Sequence, residues 1–260
     1  MKSVYLKSLS AVLLPALFSL PLLSHADDSK KGQEEKAHWS YAGETGPSHW
    51  GDLAAANIAC KQGKNQSPVD IKRTFDARLP SIKFEYKMLI GENIVNNGHT
   101  VQVNIRKGGL IKVDGKDFFL KQFHFHSSSE HEVNGQNFPL EAHFVHASEE
   151  GELAVVALLY KPGPADAALN EIVKNMPFNA GDEVRLGSRE LELFERSKKV
   201  KNYVRYNGSL TTPPCTEGVR WIVLQKNPTM SRNQLRACHK ALKQANNRPV
   251  QAINARTILR

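Results

Sequence analysis

The sequence contains little cysteine: three residues among 260, with no pair at the Cys-x-x-Cys spacing that thiolate metal sites use. This excludes a sulfur-ligated metal centre. Long apolar runs are also missing after residue 26, whereas a membrane-spanning helix needs about 20 consecutive apolar residues. We therefore expect no membrane association of the chain beyond that point.

Acidic residues are fewer than basic ones, 26 against 35, which gives a formal net charge of +9. Without the two lysines of the leader described next, +7 remains (9 − 2). The basic residues are spread along the chain rather than gathered with stacking aromatic residues, so we expect no nucleic-acid partner. With 40% hydrophobic and 23% charged residues, the composition is that of a folded globular protein.

Residues 1–26 predict a signal peptide. Lysines give a positive start, residues 9–23 are apolar, and Ser24 and Ala26 are the small residues that a signal peptidase reads. The alternative is an uncleaved membrane anchor, although the run is short for a bilayer and contains two prolines. Residues 27–37 then form a polar lead-in, and 38–260 a single domain. We expect the protein to be periplasmic or secreted.

Apolar and polar residues alternate through much of the domain, a pattern typical of half-buried strands. Val101, Val103 and Ile105 show it, and Asp114-Gly115 is a two-residue hairpin signal between two such runs. Further strand-like runs occupy residues 140–146, 153–160 and 218–225. Helical signals are few. The sequence therefore predicts a mainly β domain with peripheral helices.

One helix is predicted over residues 169–176, and a second begins at the capping box that Ser231 opens. Cys238 falls on the apolar face of this second helix, so we predict that it is a buried free cysteine. In an exported protein, that leaves Cys60 and Cys215 to form a disulfide.

Histidines at positions 124, 126 and 143 form the most informative pattern. Because side chains alternate across a strand, Gln122, His124 and His126 share one face. If the strand bearing Glu141 and His143 pairs beside this one, three imidazoles converge. Three protein ligands with an open fourth position are what a catalytic zinc requires. The alternative is that these are structural histidines, which spacing alone leaves open.

Gln122 and Glu141 each lie two residues before a proposed ligand and on the same face. A ligating histidine commonly donates its second ring N–H to such a group, which fixes the tautomer. His131 and His146 are also nearby. By parity His146 points away from the face that carries His143, so it is not included in the predicted site.

At this point the sequence resembles the alpha-class carbonic anhydrases, in particular the exported bacterial type, from about His38 to the C-terminus. The most specific segment is residues 207–218, Asn-Gly-Ser-Leu-Thr-Thr-Pro-Pro-Cys-Thr-Glu-Gly. The other matching segments, in chain order, are residues 38–41, 46–50, 66–71, 96–99, 122–126, 129–131 and 141–146. The resemblance implies a single domain built on a large twisted, mostly antiparallel sheet of about ten strands.

The resemblance also implies a role for each matching residue. The zinc ligands would be His124, His126 and His143; the catalytic residues His99, Glu130 and Thr211. The substrate pocket would be lined by Val145, Val155, Leu210, Trp221 and Thr212. The residues that order solvent would be Tyr41, Asn97 and Gln102, together with Thr212. The disulfide of exported members matches Cys60 and Cys215.

The implied activity is zinc-dependent, reversible hydration of carbon dioxide to bicarbonate and a proton. Zinc-bound hydroxide attacks carbon dioxide, Thr211 and Glu130 orient it, and His99 shuttles the proton. Sulfonamides and anions are the expected inhibitors, and a homodimer is possible on this resemblance. The sequence departs from animal members in the short loop Ser127-Ser128-Ser129, in Gln102 where Asn is common, and in Ala147 where an aromatic residue is common.

Two other classes of protein are alternatives. A cupin-like metal protein shares His124-x-His126 with a glutamate four residues later, but Phe118 and Asn137 stand where that motif has glycine. A non-catalytic zinc-binding module on the same fold is the second alternative. Relatives of that kind lose ligand histidines, whereas all three remain here.

Overall fold

The structure is a computed structural model that describes residues 38–188, 190–192 and 197–260. The predicted signal peptide and polar lead-in therefore lie outside the described residues. None of the helices in the described ranges has the length and apolarity to cross a bilayer.

Strands are the main regular structure of the described chain. In chain order they are β1 (Asp70–Ile71), β2 (Ile82–Glu85), β3 (Ile90–Asn96), β4 (Val101–Lys107), β5 (Leu110–Val113), β6 (Lys116–His126), β7 (Glu132–Val133), β8 (Leu140–Ala147), β9 (Leu153–Pro162), β10 (Glu183–Arg185), β11 (Ser197–Val200), β12 (Tyr203–Ser209), β13 (Glu217–Leu224) and β14 (Thr229–Met230). The α-helices are α1 (Trp50–Leu53), α2 (Ala59–Gln62), α3 (Ala167–Lys174) and α4 (Arg232–Leu242), with short 3₁₀ turns at Gly43–Thr45 and Ala55–Asn57.

One sheet of 12 strands dominates the fold, with the central order β10-β3-β4-β6-β8-β9-β13-β12. Among the described strands, β9 pairs in parallel with β13 and β14, and the other pairs of this sheet are antiparallel. The predicted mainly β, mostly antiparallel architecture is confirmed. The count exceeds the expected ten because the short strands β2, β5, β11 and β14 extend the sheet beside the central path. Strands β1 and β7 form a separate parallel pair.

Register across the middle of the sheet places side chains of five strands in two adjacent rows. Directly paired residues share a face, so each row projects from one side of the sheet. The first row, across β4, β6, β8 and β9, is Gln102, His124, His143 and Ala157. The second row, across β4, β6, β8, β9 and β13, is Asn104, Gln122, Val145, Val155 and Trp221.

A register shift within β6 sets which of its side chains reach the rows. Phe118 and Leu120 are buried before the shift, and Phe123 and Phe125 after it. The buried parity therefore changes from even to odd between Leu120 and Gln122, as a β-bulge requires. Phe123 and Phe125 pack into the main core behind the sheet. His124 consequently points to the opposite face.

The two predicted helices are present. α3 is capped by Asp166, whose side chain accepts a hydrogen bond from the Leu169 N–H. α4 begins with the reciprocal capping box of Ser231 and Gln234. Cys238 is fully buried in α4 as a free cysteine, which confirms the prediction made from its apolar face.

Cys60 and Cys215 form a disulfide, with their Cα atoms 5.0 Å apart. It ties α2 to the hairpin between β12 and β13, which carries Thr211. Gln66 reinforces this connection because its Nε2 donates to the Cys215 carbonyl over 3.0 Å. The disulfide closes a segment with a sequence separation of 155.

We expect thiol titration of the denatured, unreduced protein to find one thiol per chain, that of Cys238. Reduction should lower the free energy of unfolding by at most about 5 kcal/mol, because closure of so long a loop restricts the unfolded chain. Urea unfolding with and without reductant measures this. The control Cys238→Ala should bring the thiol count to zero, and three thiols in the unaltered protein would contradict the pairing.

Candidate active site

Three histidines converge at the middle of the sheet. Two of them lie in the first row, and the third lies one row further along β6, on the side away from the second row. His124 and His143 face each other directly on β6 and β8, and His126 follows two residues after His124. One ring nitrogen of each lies within 4.8 Å of the others, a separation that a single metal ion can bridge. The predicted convergence depended on β6 pairing with β8, and this pairing is present.

Each of these imidazoles uses its other nitrogen in a hydrogen bond. His124 Nδ1 lies 2.8 Å from Gln122 Oε1, and His143 Nε2 lies 2.7 Å from Glu141 Oε1. His126 Nδ1 lies 2.7 Å from the carbonyl oxygen of Asn246. Because these partners are acceptors, each bonded nitrogen carries the proton. The lone pairs of His124 Nε2, His126 Nε2 and His143 Nδ1 are left to face one another.

Burial keeps the three imidazoles neutral. It lowers the pKa of His126 to about 4 and holds the pKa of His124 well below its usual range, with the neighbouring histidines adding to the effect on His124. The pKa of His143 is also lowered, again chiefly by burial. Neutral imidazole is the form that binds a metal, so no proton has to be displaced near neutral pH.

Two atoms beside the histidines are buried without a hydrogen-bond partner in the described part of the chain, His126 Nε2 and Glu130 Oε2. Buried polar atoms are rarely left unpaired, and an ion is one explanation when they are. A zinc ion coordinated by the three histidines would satisfy the first atom. It would also bring positive charge close to the second. The residues present therefore fit a zinc site.

Glu141 is the centre of the hydrogen-bond network beneath the histidines. Its Oε1 accepts from His143 Nε2 and, over 2.6 Å, from His131 Nδ1; its Oε2 accepts from the backbone N–H groups of Glu130 and His131, each over 2.8 Å. Burial alone would raise the pKa of Glu141. The two histidines and their hydrogen bonds outweigh it and hold that pKa well below its usual range. Glu141 is therefore an ionised, fully bonded support for His143.

Glu130 enters the site from the loop after β6. The Arg248 backbone N–H donates to its Oε1 over 2.8 Å. Thr211 acts on the same carboxylate as a side-chain hydrogen-bond donor and lowers its pKa. Burial is the larger influence and raises the pKa of Glu130 to about 7. A cation on the nearby histidines would favour the ionised carboxylate.

Apolar side chains from the sheet flank the histidines on one side. Val145 and Val155 are paired across β8 and β9, and Trp221 is paired with Val155 from β13. Leu210 packs against the same cluster from the β12–β13 hairpin, next to Thr211 and Thr212. Trp221 is fixed by its indole N–H, which donates to the Ser209 carbonyl over 2.9 Å. The structure thus brings the four apolar residues of the predicted substrate pocket together in one cluster beside Thr211, and Thr212 follows Thr211 in the chain.

Of the four residues predicted to order solvent, Thr212 lies beside Thr211, and the other three have different surroundings. Gln102 is paired with His124, and its amide donates to Asn104 Oδ1 over 2.7 Å. The Asn97 side-chain oxygen accepts from the backbone N–H groups of His99 and Thr100, so it shapes the turn before β4. Tyr41 packs edge-on against Trp50.

His99 lies on that same turn, half-buried rather than among the ligands. Its ring stacks on Trp39 with centroids 3.8 Å apart and planes 8° from parallel. Burial lowers its pKa, and the neighbouring His38 adds to the effect. The imidazole is therefore neutral at neutral pH and able to accept a proton.

Sequence reasoning missed several residues that position the site. Asn246 and Arg248 lie in the irregular segment after α4, where no periodicity marks them. Asn246 holds His126 through its carbonyl oxygen, and its side-chain amide donates to the carbonyls of Phe125 and His99. The Arg248 guanidinium is buried and donates to Gln66, Ser67 and Cys60. Nothing in the sequence around Arg248 predicts its burial.

The sequence places His131 near the predicted site but predicts no role for it. Its Nε2 lies 2.7 Å from the Tyr206 hydroxyl, which donates to Ser67 Oγ over 3.0 Å. It therefore connects Glu141 to the strand that leads into the Thr211 hairpin. His146, which parity excluded, does lie away from the site, with its Nε2 2.5 Å from the Tyr86 hydroxyl.

A family model and the similar curated proteins compared here are all carbonic anhydrases. Residues 45–260 match the family model for eukaryotic-type carbonic anhydrase. A carbonic anhydrase of Neisseria gonorrhoeae is 42% identical over 247 residues, covering 95% of this chain and 97% of that protein. One from Pectobacterium atrosepticum is 39% identical over 244 residues, covering 93% and 98%.

Among solved structures, the alpha-carbonic anhydrase of Thermovibrio ammonificans in complex with the inhibitor sulfanilamide superposes with a TM-score of 0.81. It is 45% identical and covers 86% of this chain and 99% of its own. Likeness of sequence and of structure extends over nearly the whole described domain. The chain therefore belongs to the alpha-class, or eukaryotic-type, carbonic anhydrase family and is an enzyme of that family.

Proposed function

We propose that this enzyme hydrates carbon dioxide reversibly at a zinc ion held by His124, His126 and His143. Hydration of carbon dioxide in general is the activity of the family. The observation that carries the finer proposal is the convergence of three neutral imidazole nitrogens within 4.8 Å, each oriented by its own acceptor.

Zinc, when bound, supplies the Lewis acidity that makes hydroxide available near neutral pH, chemistry for which carbonic anhydrases are the standard example. The Glu130 carboxylate would accept a hydrogen bond from the Thr211 hydroxyl. The Thr211 oxygen would then be left as a hydrogen-bond acceptor. It would accept from the single hydrogen of a hydroxide and so orient the hydroxide lone pair towards the substrate carbon. The apolar cluster of Val145, Val155 and Trp221 suits a neutral, weakly hydrated molecule such as carbon dioxide.

His99 would carry the proton released in each cycle to solvent. It is half-buried, it is neutral at neutral pH because its pKa is lowered, and it is stacked on Trp39 at the turn before β4. Histidine suits this role because its pKa permits both uptake and release near neutral pH. The hydration step itself does not involve His99.

We expect His99→Ala to slow turnover by at least about tenfold in weak buffer, with kcat/KM nearly unchanged. This is less than the roughly hundredfold or more typical of a lost acid–base group, because water and buffer still carry protons. Stopped-flow hydration assays at several buffer concentrations measure both quantities, and added imidazole should restore much of the rate. His49→Ala, which removes an exposed histidine, should have no effect. Normal turnover of His99→Ala in dilute buffer would remove His99 from the mechanism.

The proposed function is tested by carbon dioxide hydration with zinc-loaded protein. The rate should rise with zinc content up to one ion per chain and fall on addition of sulfanilamide, the inhibitor bound in the Thermovibrio ammonificans structure. Protein that takes up one zinc but shows no sulfonamide-sensitive hydration would support the alternative of a non-catalytic zinc-binding module.

We further propose that the enzyme is exported to the periplasm or beyond. The Cys60–Cys215 disulfide supports this, because such bonds persist in oxidising compartments. Fractionation of cells that express the full chain, together with the N-terminal sequence of the mature protein, tests both the location and cleavage after Ala26.

A further inference from the structure

A cavity of about 500 Å³ lies near the ends of β9, β13 and β11. Its lining includes Leu158 and Tyr160 from β9 and Leu224 from β13. These side chains belong to the main core cluster. The apolar wall of the zinc site, with Val155 and Trp221, belongs to a different cluster. The cavity is therefore separate from the active site and on the other side of β9.

The rim of this cavity is basic. Lys199, Lys201 and Lys226 line it, and all three are exposed. Within the described ranges none of the three lysines forms an ion pair. Asp166 is the acidic residue in the lining, and its Oδ1 already accepts the capping hydrogen bond from the Leu169 N–H. Three positive groups against one negative leave the rim with a charge of +2.

Tyr160 adds a polar group to the apolar floor. Its side chain is 6% exposed and lines the cavity, yet its hydroxyl makes no hydrogen bond to any residue that the structure describes. The hydroxyl oxygen itself is not fully buried, so solvent in the cavity reaches it. The hydroxyl is therefore available to a molecule inside the cavity.

We propose that this cavity binds a small amphipathic organic anion. Its apolar body would pack on Leu158, Leu224 and Val200, its charged group would contact the three lysines, and Tyr160 would hydrogen-bond to one of its polar atoms. The volume lies within the range of about 300–1,000 Å³ that is typical of small-molecule sites. Charge complementarity selects an anion over a neutral or cationic ligand. The proposal does not depend on the chemistry at the zinc site.

The test uses two fluorescent probes of similar aromatic size on the zinc-loaded, sulfanilamide-saturated protein. Anilinonaphthalene sulfonate carries a negative charge, and phenylnaphthylamine does not. With the active site blocked, we expect one sulfonate probe bound per chain, more tightly than the neutral probe. Its affinity should fall as salt is added, since ions screen exposed charges. Absence of stoichiometric sulfonate binding would overturn the proposal.

Variants then locate the site. Replacing Lys199, Lys201 and Lys226 together with Gln should weaken sulfonate binding by about tenfold and leave the neutral probe unaffected, since three exposed charge contacts are lost. The same change at Lys64, Lys87 and Lys107 alters net charge equally, away from the cavity, and should change affinity little. Equal weakening in both triple variants would mean nonspecific attraction and reject the site.

Tyr160→Phe tests the hydroxyl without changing the shape of the floor. We expect about threefold weaker sulfonate binding, the loss of one hydrogen bond, with unchanged hydration activity. The neutral probe reports whether the cavity is still formed in this variant. Unaltered sulfonate affinity would show that the Tyr160 hydroxyl does not contact the anion, which would overturn the proposed binding mode.

Discussion

His143→Ala should lose zinc and hydration activity together. Two neutral ligands would remain where three are present, and Glu141 would lose one of the two imidazoles that hold its pKa low. Loss of a group that merely orients a ligand costs about 10–100-fold in metal affinity or activity, so loss of a ligand should cost at least a hundredfold. Zinc content after dialysis against a weak chelator, and the hydration rate of the same samples, give the two measurements.

His239→Ala is the matched control, because His239 is an exposed histidine on α4. It should keep one zinc per chain and full activity. Circular dichroism shows whether His143→Ala still folds, which separates a lost ligand from a lost domain. If folded His143→Ala retained stoichiometric zinc and unaltered hydration, the assignment of the three ligands would be wrong.

A graded comparison comes from the residues that orient the ligands. Glu141→Gln keeps the shape of the side chain but removes the charge that supports His143 and His131. Gln122 is already neutral in the corresponding position beside His124. The loss in zinc affinity for Glu141→Gln should therefore fall between the control and His143→Ala.

The histidine cluster could be predicted because it depends on local rules. Alternation on a strand placed Gln122, His124 and His126 on one face, and a hairpin signal at Asp114-Gly115 fixed where that strand began. The parity rule also separated His143 from His146. Only the pairing of β6 with β8 had to be assumed, and the two strands are close in the chain. The resemblance to a known family then supplied the residues at longer range.

The remaining parts of the site could not be derived from pattern, because they are held by contacts between distant segments. Arg248 donates to Glu130 across a sequence separation of 118, and Asn246 holds His126 across 120. Both lie in a segment without regular structure, so neither periodicity nor capping marks them. The bulge in β6 was equally hidden, because alternation read from Phe118 alone would have placed His124 and His126 in the core.

Thr211 and Glu130 should behave as one unit, although they come from different ends of the domain. Thr211 lies on the hairpin that the disulfide ties to α2, while Glu130 is held by the backbone of Arg248. Under the proposed mechanism each would contribute only through the other. Without Glu130 the Thr211 hydroxyl would be free to donate, and without Thr211 the carboxylate would have no hydroxyl to orient. Groups coupled in this way give strongly non-additive losses.

We expect Thr211→Ala and Glu130→Gln each to lower kcat/KM by about a hundredfold, the scale found when one preorganised polar contact to a transition state is removed. The double variant should also lose about a hundredfold, rather than the roughly ten-thousandfold product of independent effects. Thr216→Ala is the control, because Thr216 is exposed on the same hairpin and the backbone carbonyl that binds the Leu210 N–H is retained. Zinc content should stay at one ion per chain in all four proteins. A double variant whose loss equals the product of the single losses would show that the threonine and the glutamate act separately.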